Sequence, residues 1–295
     1  MFKTLITGVS YRAKGLWGTI NRVFYKQPKV LSTKESLKRI IENKCSVARF
    51  GDGEFNLMRG TSLGFQVAND LLAQRLHEVL ANPVRALEIG LPDVFGSLVA
   101  YKKESARFWK GYMGMHRGEM VRMIDCNISY LNTNMTRFWT GYKENDYNII
   151  NLYQQIWQGR NVVFVEGELT RMGVGNDLFS GATSIKRILC PAKNAWNRYD
   201  EILTTILDLG LNKETLFILA LGPTATVLAY DLTVIGGYQA LDLGHLDVQY
   251  EYSLRNANGK IALEGKYVNE NIAGRDVSDS IVDDTYRNSI IVKIS

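Results

Sequence analysis

The sequence predicts an α/β fold, a mostly parallel sheet with helices on both faces, and three observations predict it. Four short apolar runs read as buried strands, each ending at Gly or Pro: NVVFVEG (161–167), SIKRILCP (184–191), TLFILALG (215–222) and YQALDLG (238–244). Helix-length segments separate them, notably RYDEILTTILDLG (198–210) and TATVLAYDLTVIGG (224–237). Strands alternating with helices require parallel pairing through crossovers, a Rossmann-like arrangement covered on both faces. The third observation is bulk: 295 residues, 46% hydrophobic and 22% charged, can bury a sizeable core and exclude a disordered or fibrous chain.

Taken in order, the chain opens with an arm. Residues 1–39 carry nine Lys/Arg against Glu35 alone, a balance of +8 out of the total of +5, so the remainder sums to −3. Phe2, Leu5, Ile6, Val9, Leu16, Trp17, Ile20, Val23 and Phe24 recur at helical spacing with basic residues between them. Such a basic amphipathic helix suits an anionic membrane surface. It suits equally a groove on the main domain or on a second subunit of a homo-oligomer, because Gly8, Gly15 and Gly18 weaken an isolated helix. Nucleic acid is not expected as a partner, since no basic stripe continues into the body. The division expected is an arm over 1–35 and one domain over 36–295.

No apolar run approaches a membrane span, and the N-terminus shows no secretory pattern. Cys45, Cys126 and Cys190 are odd in number, far apart, and form neither a zinc spacing nor a disulfide framework. A cytoplasmic setting is expected, with the inner face of the membrane as the place where the arm would act.

Gln27-Pro28-Lys29 ends the arm, and Ser32-Thr33 starts a helix. The apolar stretch Cys45–Ala48 then runs into RFGDGEF (49–55), where Asp52 and Glu54 stand one residue apart with Gly51 and Gly53 around Asp52. Two carboxylates so close favour a cation or a cationic ligand. A solvated turn is the alternative, since Gly and Asp are ordinary turn residues. NDLLAQRLHEVL (69–80) has helical periodicity, and ALEIGLP and CNISYLN read as strand ends. RFWKGY (107–112) and RFWTGY (137–142) echo each other; Trp109, Tyr112, Trp139 and Tyr142 suit either sugar stacking or core anchoring.

In parallel sheets ligands sit beyond the carboxyl ends of the strands. That rule nominates Glu166-Gly167-Glu168, Gly222-Pro223-Thr224 and the stretch Asp242, Gly244, His245. The Gly222-Pro223-Thr224 turn is similar to a phosphate-cradling one, with free N–H groups at the start of the following helix.

The segments VEGELTRMGVGNDLF (165–179), RILCPAKNAW (187–196), ALGPTATVLAYDL (220–232) and LDLGHLDVQYEY (241–252), together with RFGDGEF, resemble the bacterial glycosyltransferases of the GT-D fold, once a domain of unknown function. The resemblance covers about residues 40–255. Family members like this chain extend glycans on surface adhesins or build surface polysaccharide. They use a nucleotide-activated sugar and a divalent metal at an Asp-x-Glu motif.

The resemblance implies that Asp52 and Glu54 hold Mn²⁺ or Mg²⁺ against the diphosphate of a UDP-sugar, where hard oxygen ligands suit the ion. Arg49 would reach the same phosphates or hold the carboxylates in place. Arg171, Asn176 and Asp177 would grip the donor, with helix capping as their alternative. Asn134, Thr136 and Arg137 match a further position lining the site. Asp247 is the expected base for the acceptor hydroxyl, with His245 and Glu166 as the other candidates.

The expected function is metal-dependent transfer of a hexose, glucose or galactose, from a UDP-sugar to a growing surface glycan carried on protein or lipid. Two alternatives stand beside it: a class I methyltransferase, suggested by the glycine-bearing turn after 161–167, and a non-catalytic scaffold held at the membrane by the arm.

Overall fold

The computed structural model describes residues 13–144, 146, 148–268, 270–275 and 277–295. Phe2, Leu5, Ile6 and Val9 of the expected stripe therefore lie outside the described residues. Among the described residues nine strands form one parallel sheet: β1 (Lys29–Val30), β2 (Ser46–Arg49), β3 (Leu87–Leu91), β4 (Ser129–Asn132), β5 (Asn161–Gly167), β6 (Ser184–Cys190), β7 (Leu216–Ala220), β8 (Gln239–Asp242) and β9 (Ile290–Lys293). Their order is β1-β4-β3-β2-β8-β7-β5-β6-β9. The four strands expected in the second half are β5 to β8, with β5 matching residue for residue.

The helices are α1 (13–20), α2 (Thr33–Asn43), α3 (Asp52–Met58), α4 (Asp70–Ala81), α5 (Lys103–Met123), α6 (Asn148–Trp157), α7 (Tyr199–Asp208), α8 (Pro223–Val234), α9 (Leu246–Leu254) and α10 (Asp284–Ser289). Side chains alternate across a strand, so neighbouring strand residues feed opposite cores. Val47, Val162, Phe164, Leu216, Ile218 and Leu241 pack with Leu37 and Ile40 of α2 and Tyr153 and Trp157 of α6. Ala48, Val163, Val165, Phe217, Leu219 and Ala240 pack on the other face with Leu72 of α4, Ile202 of α7 and Leu228 of α8. Of the repeated aromatics, Trp109, Tyr112 and Trp139 are buried core anchors, while Tyr142 is half-buried.

Local chemistry sets the helix starts. Ser32 and Glu35 close a reciprocal capping box on α2. Asn69 accepts the Leu72 N–H to cap α4. α8 opens at Pro223 after Gly222, whose φ of 56° and ψ of −146° only glycine adopts without strain.

Two outcomes modify the expected division. Lys29 and Val30 pair with Ser129 and Tyr130, so the sheet begins inside the stretch assigned to the arm. The arm is also docked. Where α1 crosses α5, a Cβ on Gly18 would lie 2.1 Å from the Lys110 carbonyl oxygen, and one on Gly114 2.0 Å from that of Lys14. Beside this crossing Arg117 is buried, its Nε donating to Asn21 Oδ1 (2.7 Å), Nη1 to the Phe95 carbonyl (2.6 Å) and Nη2 to the Gly18 carbonyl (3.2 Å).

Gly114→Ala thus places a methyl group against backbone that cannot yield cheaply. The expected loss is about 1–3 kcal/mol in urea denaturation, with faster proteolysis near residues 13–26. Unchanged stability and unchanged protection would show that the crossing is not tight in solution.

Candidate active site at the carboxyl edge of the sheet

The carboxyl ends of β4, β3, β2 and β8 lie side by side, and Arg49 at the end of β2 ties its own strand to the ends of β4 and β8. Its Nε donates to the Asp242 carbonyl (2.6 Å), and Nη2 donates to Asp242 Oδ1 (2.7 Å) and the Gly244 carbonyl (3.2 Å). Nη1 donates to Thr136 Oγ1 (2.7 Å) and the Thr133 carbonyl (3.4 Å). A guanidinium offers five N–H donors in a rigid fork. Here that fork is spent on protein, so Arg49 orders the site and Thr136 supports it; neither faces a donor phosphate.

RFGDGEF forms the start of α3 rather than a free turn. Gly51 is the N-cap, and its N–H donates to Glu54 Oε2 (2.7 Å). Asp52 and Glu54 thus occupy the first turn, where the positive end of the helix favours carboxylates. Burial nonetheless raises the Asp52 pKa, with Arg137 opposing and Glu270 adding to the rise. Burial likewise pushes Glu54 up to about 7, partly offset by the Gly51 amide and increased by Asp242. Among the described residues no ion pair closes on Asp52 or Glu54. Asp52 and Glu54 are hard oxygen ligands of the kind Mg²⁺ or Mn²⁺ takes, although one residue apart on a helix they do not share a face, and among the described residues no group of three or more His, Cys, Asp or Glu is placed to hold a metal ion.

A cationic cluster lies near Asp52. Arg137 Nη1 and Lys260 Nζ both reach Glu270 Oε1, at 2.8 and 3.0 Å, and His245 Nε2 is 4.0 Å from Glu270 Oε2. Burial alone would raise the Glu270 pKa, but Arg137, His245 and Lys260 outweigh it and hold the carboxyl at about 2. His245 has a φ of 74°, a left-handed conformation that it shares with Lys44, Arg171, Asn194 and Asn256 among the described residues. Arg137 and His245 were expected at the site. Lys260 and Glu270 were not, because they lie in the tail beyond the resemblance and look like ordinary loop charges.

Asp93, just past β3, also escaped notice, although the strand-end rule reaches it. It accepts hydrogen bonds from Tyr101, from Tyr142 (2.9 Å) and from Asn134 Nδ2 (3.2 Å), which gives Asn134 a place beside the crevice.

The other expected site residues are engaged elsewhere. Asp247, the expected base, is buried; Lys266 Nζ (2.7 Å) donates to its Oδ2, and Asn176 Nδ2 (2.8 Å) and the Gly173 N–H (3.0 Å) donate to its Oδ1. Three of its about four lone-pair sites are taken and Lys266 balances its charge, which makes it a poor acceptor of a substrate proton. Asn176 also donates to Glu251 (2.6 Å), and Asp177 accepts from the Tyr250 hydroxyl (2.6 Å).

Glu166 is fully buried, paired with Arg187 and accepting the Met172 N–H (2.7 Å), so it folds the loop after β5 and is no base. Arg171 is likewise buried, its Nη1 on the carbonyls of Gly265 (2.9 Å) and Ser278 (2.6 Å) and its Nη2 on Asp279. It anchors the C-terminal segment instead of gripping a donor. Glu168 lies at the surface, 3.3 Å from Lys293.

At Gly222-Pro223-Thr224 the Phe65 ring lies 2.8 Å from where a Gly222 Cβ would sit, Gly222 itself is exposed, and Thr224 is buried. Arg187, paired with Glu166 and donating to the Met172 carbonyl (2.9 Å), ties down the loop that suggested a methyltransferase cofactor site.

The model of the glycosyltransferase GT-D fold family matches residues 47–271, which takes in Asp52, Arg137, His245, Lys260 and Glu270. The chain belongs to that family. It is 36% identical over 274 residues to a probable glycosyl transferase Gly of Streptococcus gordonii, covering 92% of this chain and 39% of that protein. It is 34% identical over 263 residues to glycosyltransferase GlyD of Streptococcus pneumoniae serotype 4 (strain ATCC BAA-334 / TIGR4), covering 88% and 32%. The chain thus spans about a third of the length of these relatives.

Two solved GT-D neighbours agree. One is a domain of unknown function 1792 described as having a distinct glycosyltransferase fold, at a TM-score of 0.84 and 35% identity over 97% of this chain and 99% of that one. The other is a glycosyltransferase of the same domain from Streptococcus sanguinis, at 0.86 and 34% over 91% and 100%.

The raised pKa of Glu54 gives a pH test. A folded pKa of about 7 against an ordinary 4.5 means that the folded state holds the extra proton between these values. Stability from this group is therefore present at low pH and lost as pH rises through about 7. Glu54→Gln keeps an acceptor for the Gly51 N–H but removes the charge, so at pH 8 the metal-free variant should be the more stable, by about 1–3 kcal/mol. A variant less stable than wild type at pH 8 and equal to it at pH 5 would contradict this account.

Proposed function

We propose that this GT-D chain moves a hexose, glucose or galactose, from a UDP-sugar to a growing surface glycan on protein or lipid, with Mn²⁺ or Mg²⁺ held at Asp52 and Glu54. One observation carries the reading: the buried carboxyl of Asp52 and a cluster of Arg137, His245 and Lys260 meet at the carboxyl edge of a parallel sheet, with the Glu54 carboxyl buried two residues on. A diphosphate would be held by both kinds of charge: a divalent cation, which Asp52 and Glu54 would hold, and the fixed cations Arg137 and Lys260. When bound, the metal would supply charge stabilisation for the departing diphosphate.

The protein's own residues do the remainder. Arg137 and Lys260 bind phosphate oxygens, taking the place that Glu270 fills here. His245 takes the acceptor proton or holds the phosphate, since Asp247 and Glu166 are closed off by their own partners. Asp93, with Tyr101 and Tyr142, offers hydrogen-bonding groups to a sugar on the β3 side.

Thermal shift with UDP and Mn²⁺, followed by a panel of UDP-sugars assayed for metal-dependent hydrolysis, tests the reading. Stabilisation by UDP with Mn²⁺ and turnover of one hexose donor are expected. No shift and no turnover of any sugar nucleotide would return the chain to a scaffold role. Asp52→Asn should abolish metal-dependent turnover while leaving the fold intact.

Arg137 and Arg171 separate binding from architecture. Arg137→Ala should raise the UDP-sugar KM or lower kcat by the equivalent of about 1.5–3 kcal/mol, with little loss of Tm. Arg171→Ala strands buried carbonyls and should lower stability by about 1–3 kcal/mol, with activity reduced only in proportion to unfolding. The reverse pattern would move Arg171 back into the donor site.

A further inference from the structure

We infer that the outward face of α1 and the turn after it docks on an anionic lipid surface. This inference does not rest on the chemistry at the carboxyl edge. The inward face of the arm is consumed by Gly18, Asn21 and the buried Arg117, as described above. The opposite face carries Leu16, Trp17, Ile20, Val23 and Phe24, which remain 45 to 73% exposed. Trp17 and Phe24 stack on each other with ring centroids 6.3 Å apart, so the patch is contiguous. A soluble surface seldom gathers five large apolar side chains unless something covers them.

Charge selects the occupant. Lys14, Arg22 and Lys26 flank the patch, within the 39-residue stretch that holds a balance of +8. A second copy docking on the same face would bring that positive balance against its own like, which opposes association. An anionic leaflet attracts it and accepts the apolar side chains below the headgroups, with Trp17 suited to the interface. The glycine crossing adds orientation, because it fixes the arm on α5 and so presents the face outward from a rigid body. Among the described residues no helix is long and apolar enough to cross a membrane, so this would be contact along a surface.

Sedimentation of the full chain with vesicles tests it. Vesicles of phosphatidylcholine alone are compared with an equal mixture of phosphatidylcholine and phosphatidylglycerol, at low and high salt. Binding to the anionic vesicles at low salt is expected, falling as salt rises, with a blue shift of Trp17 fluorescence judged against Trp17→Phe.

Trp17→Ser with Phe24→Ser should weaken binding about tenfold or more, as should Arg22→Glu with Lys26→Glu. Both pairs change exposed side chains, so their melting temperatures should match wild type. No binding to anionic vesicles at low salt overturns the proposal, as does equal binding to neutral vesicles. A dimer in sedimentation velocity that Trp17→Ser dissociates would give the face to a second copy instead.

Discussion

Arg49 is the constraint on which the carboxyl edge depends. Its backbone belongs to β2, its fork reaches the carboxylate and carbonyl of Asp242 at the end of β8, and its remaining nitrogen reaches Thr133 and Thr136 beyond β4. Three strand ends that are distant in sequence are thereby fixed to one planar group. Asp242 is buried, so removing either partner would strand a charge in a low-dielectric setting, which typically costs several kcal/mol. The clamp leaves Asp52, Arg137 and His245 standing on three separately anchored segments, and their mutual placement follows from it.

A second layer of buried charge does for the loops what Arg49 does for the strands. Glu166 with Arg187 closes the loop after β5, and Lys266 with Asp247 and Glu251 fastens the C-terminal segment to α9. Burial raises the Glu251 pKa, but Lys266, Asn176 and Arg255 outweigh that and lower it, so this fastening holds above the acid range and loosens as the carboxyl protonates. Through Lys266 and Arg171 the segment is held where Lys260 and Glu270 meet Arg137. These buried acidic and basic residues therefore serve to order the loops of this half.

Legibility in the sequence followed the kind of information each feature needs. Strands β5 to β8 were readable because buried parallel strands are continuous apolar runs ended by glycine or proline. β1 and β9 were not, being two and four residues long with no periodicity to detect. The start of α2 was readable from its capping pair, whereas α9 begins after His245, whose side chain makes no cap hydrogen bond.

At the site, Asp52 stood out through its flanking glycines and His245 through its place at a strand end. Asp247 and Glu166 looked the same as these, because depth leaves no mark on a carboxylate in one dimension. Only their partners Lys266 and Arg187, nineteen and twenty-one residues away, reveal that they are interior ion pairs.

The strand order also bears on how the chain is made. β2, which leads directly into Asp52, is bordered on one side by β3 and on the other by β8, with Val47 opposite Leu241. On a ribosome the first strands emerge with that side of β2 unpaired, and it stays so until residues 239–242 have left the tunnel. β6 waits longer still, since its outer neighbour is β9 at Ile290–Lys293. Non-local pairing of this kind folds slowly and leaves open strand edges exposed to wrong partners. Nascent chains interrupted before residue 239 would therefore present three such edges, on β2, β7 and β6, and synthesis itself, through its pace and the chaperones that meet it, becomes part of how the crevice is assembled.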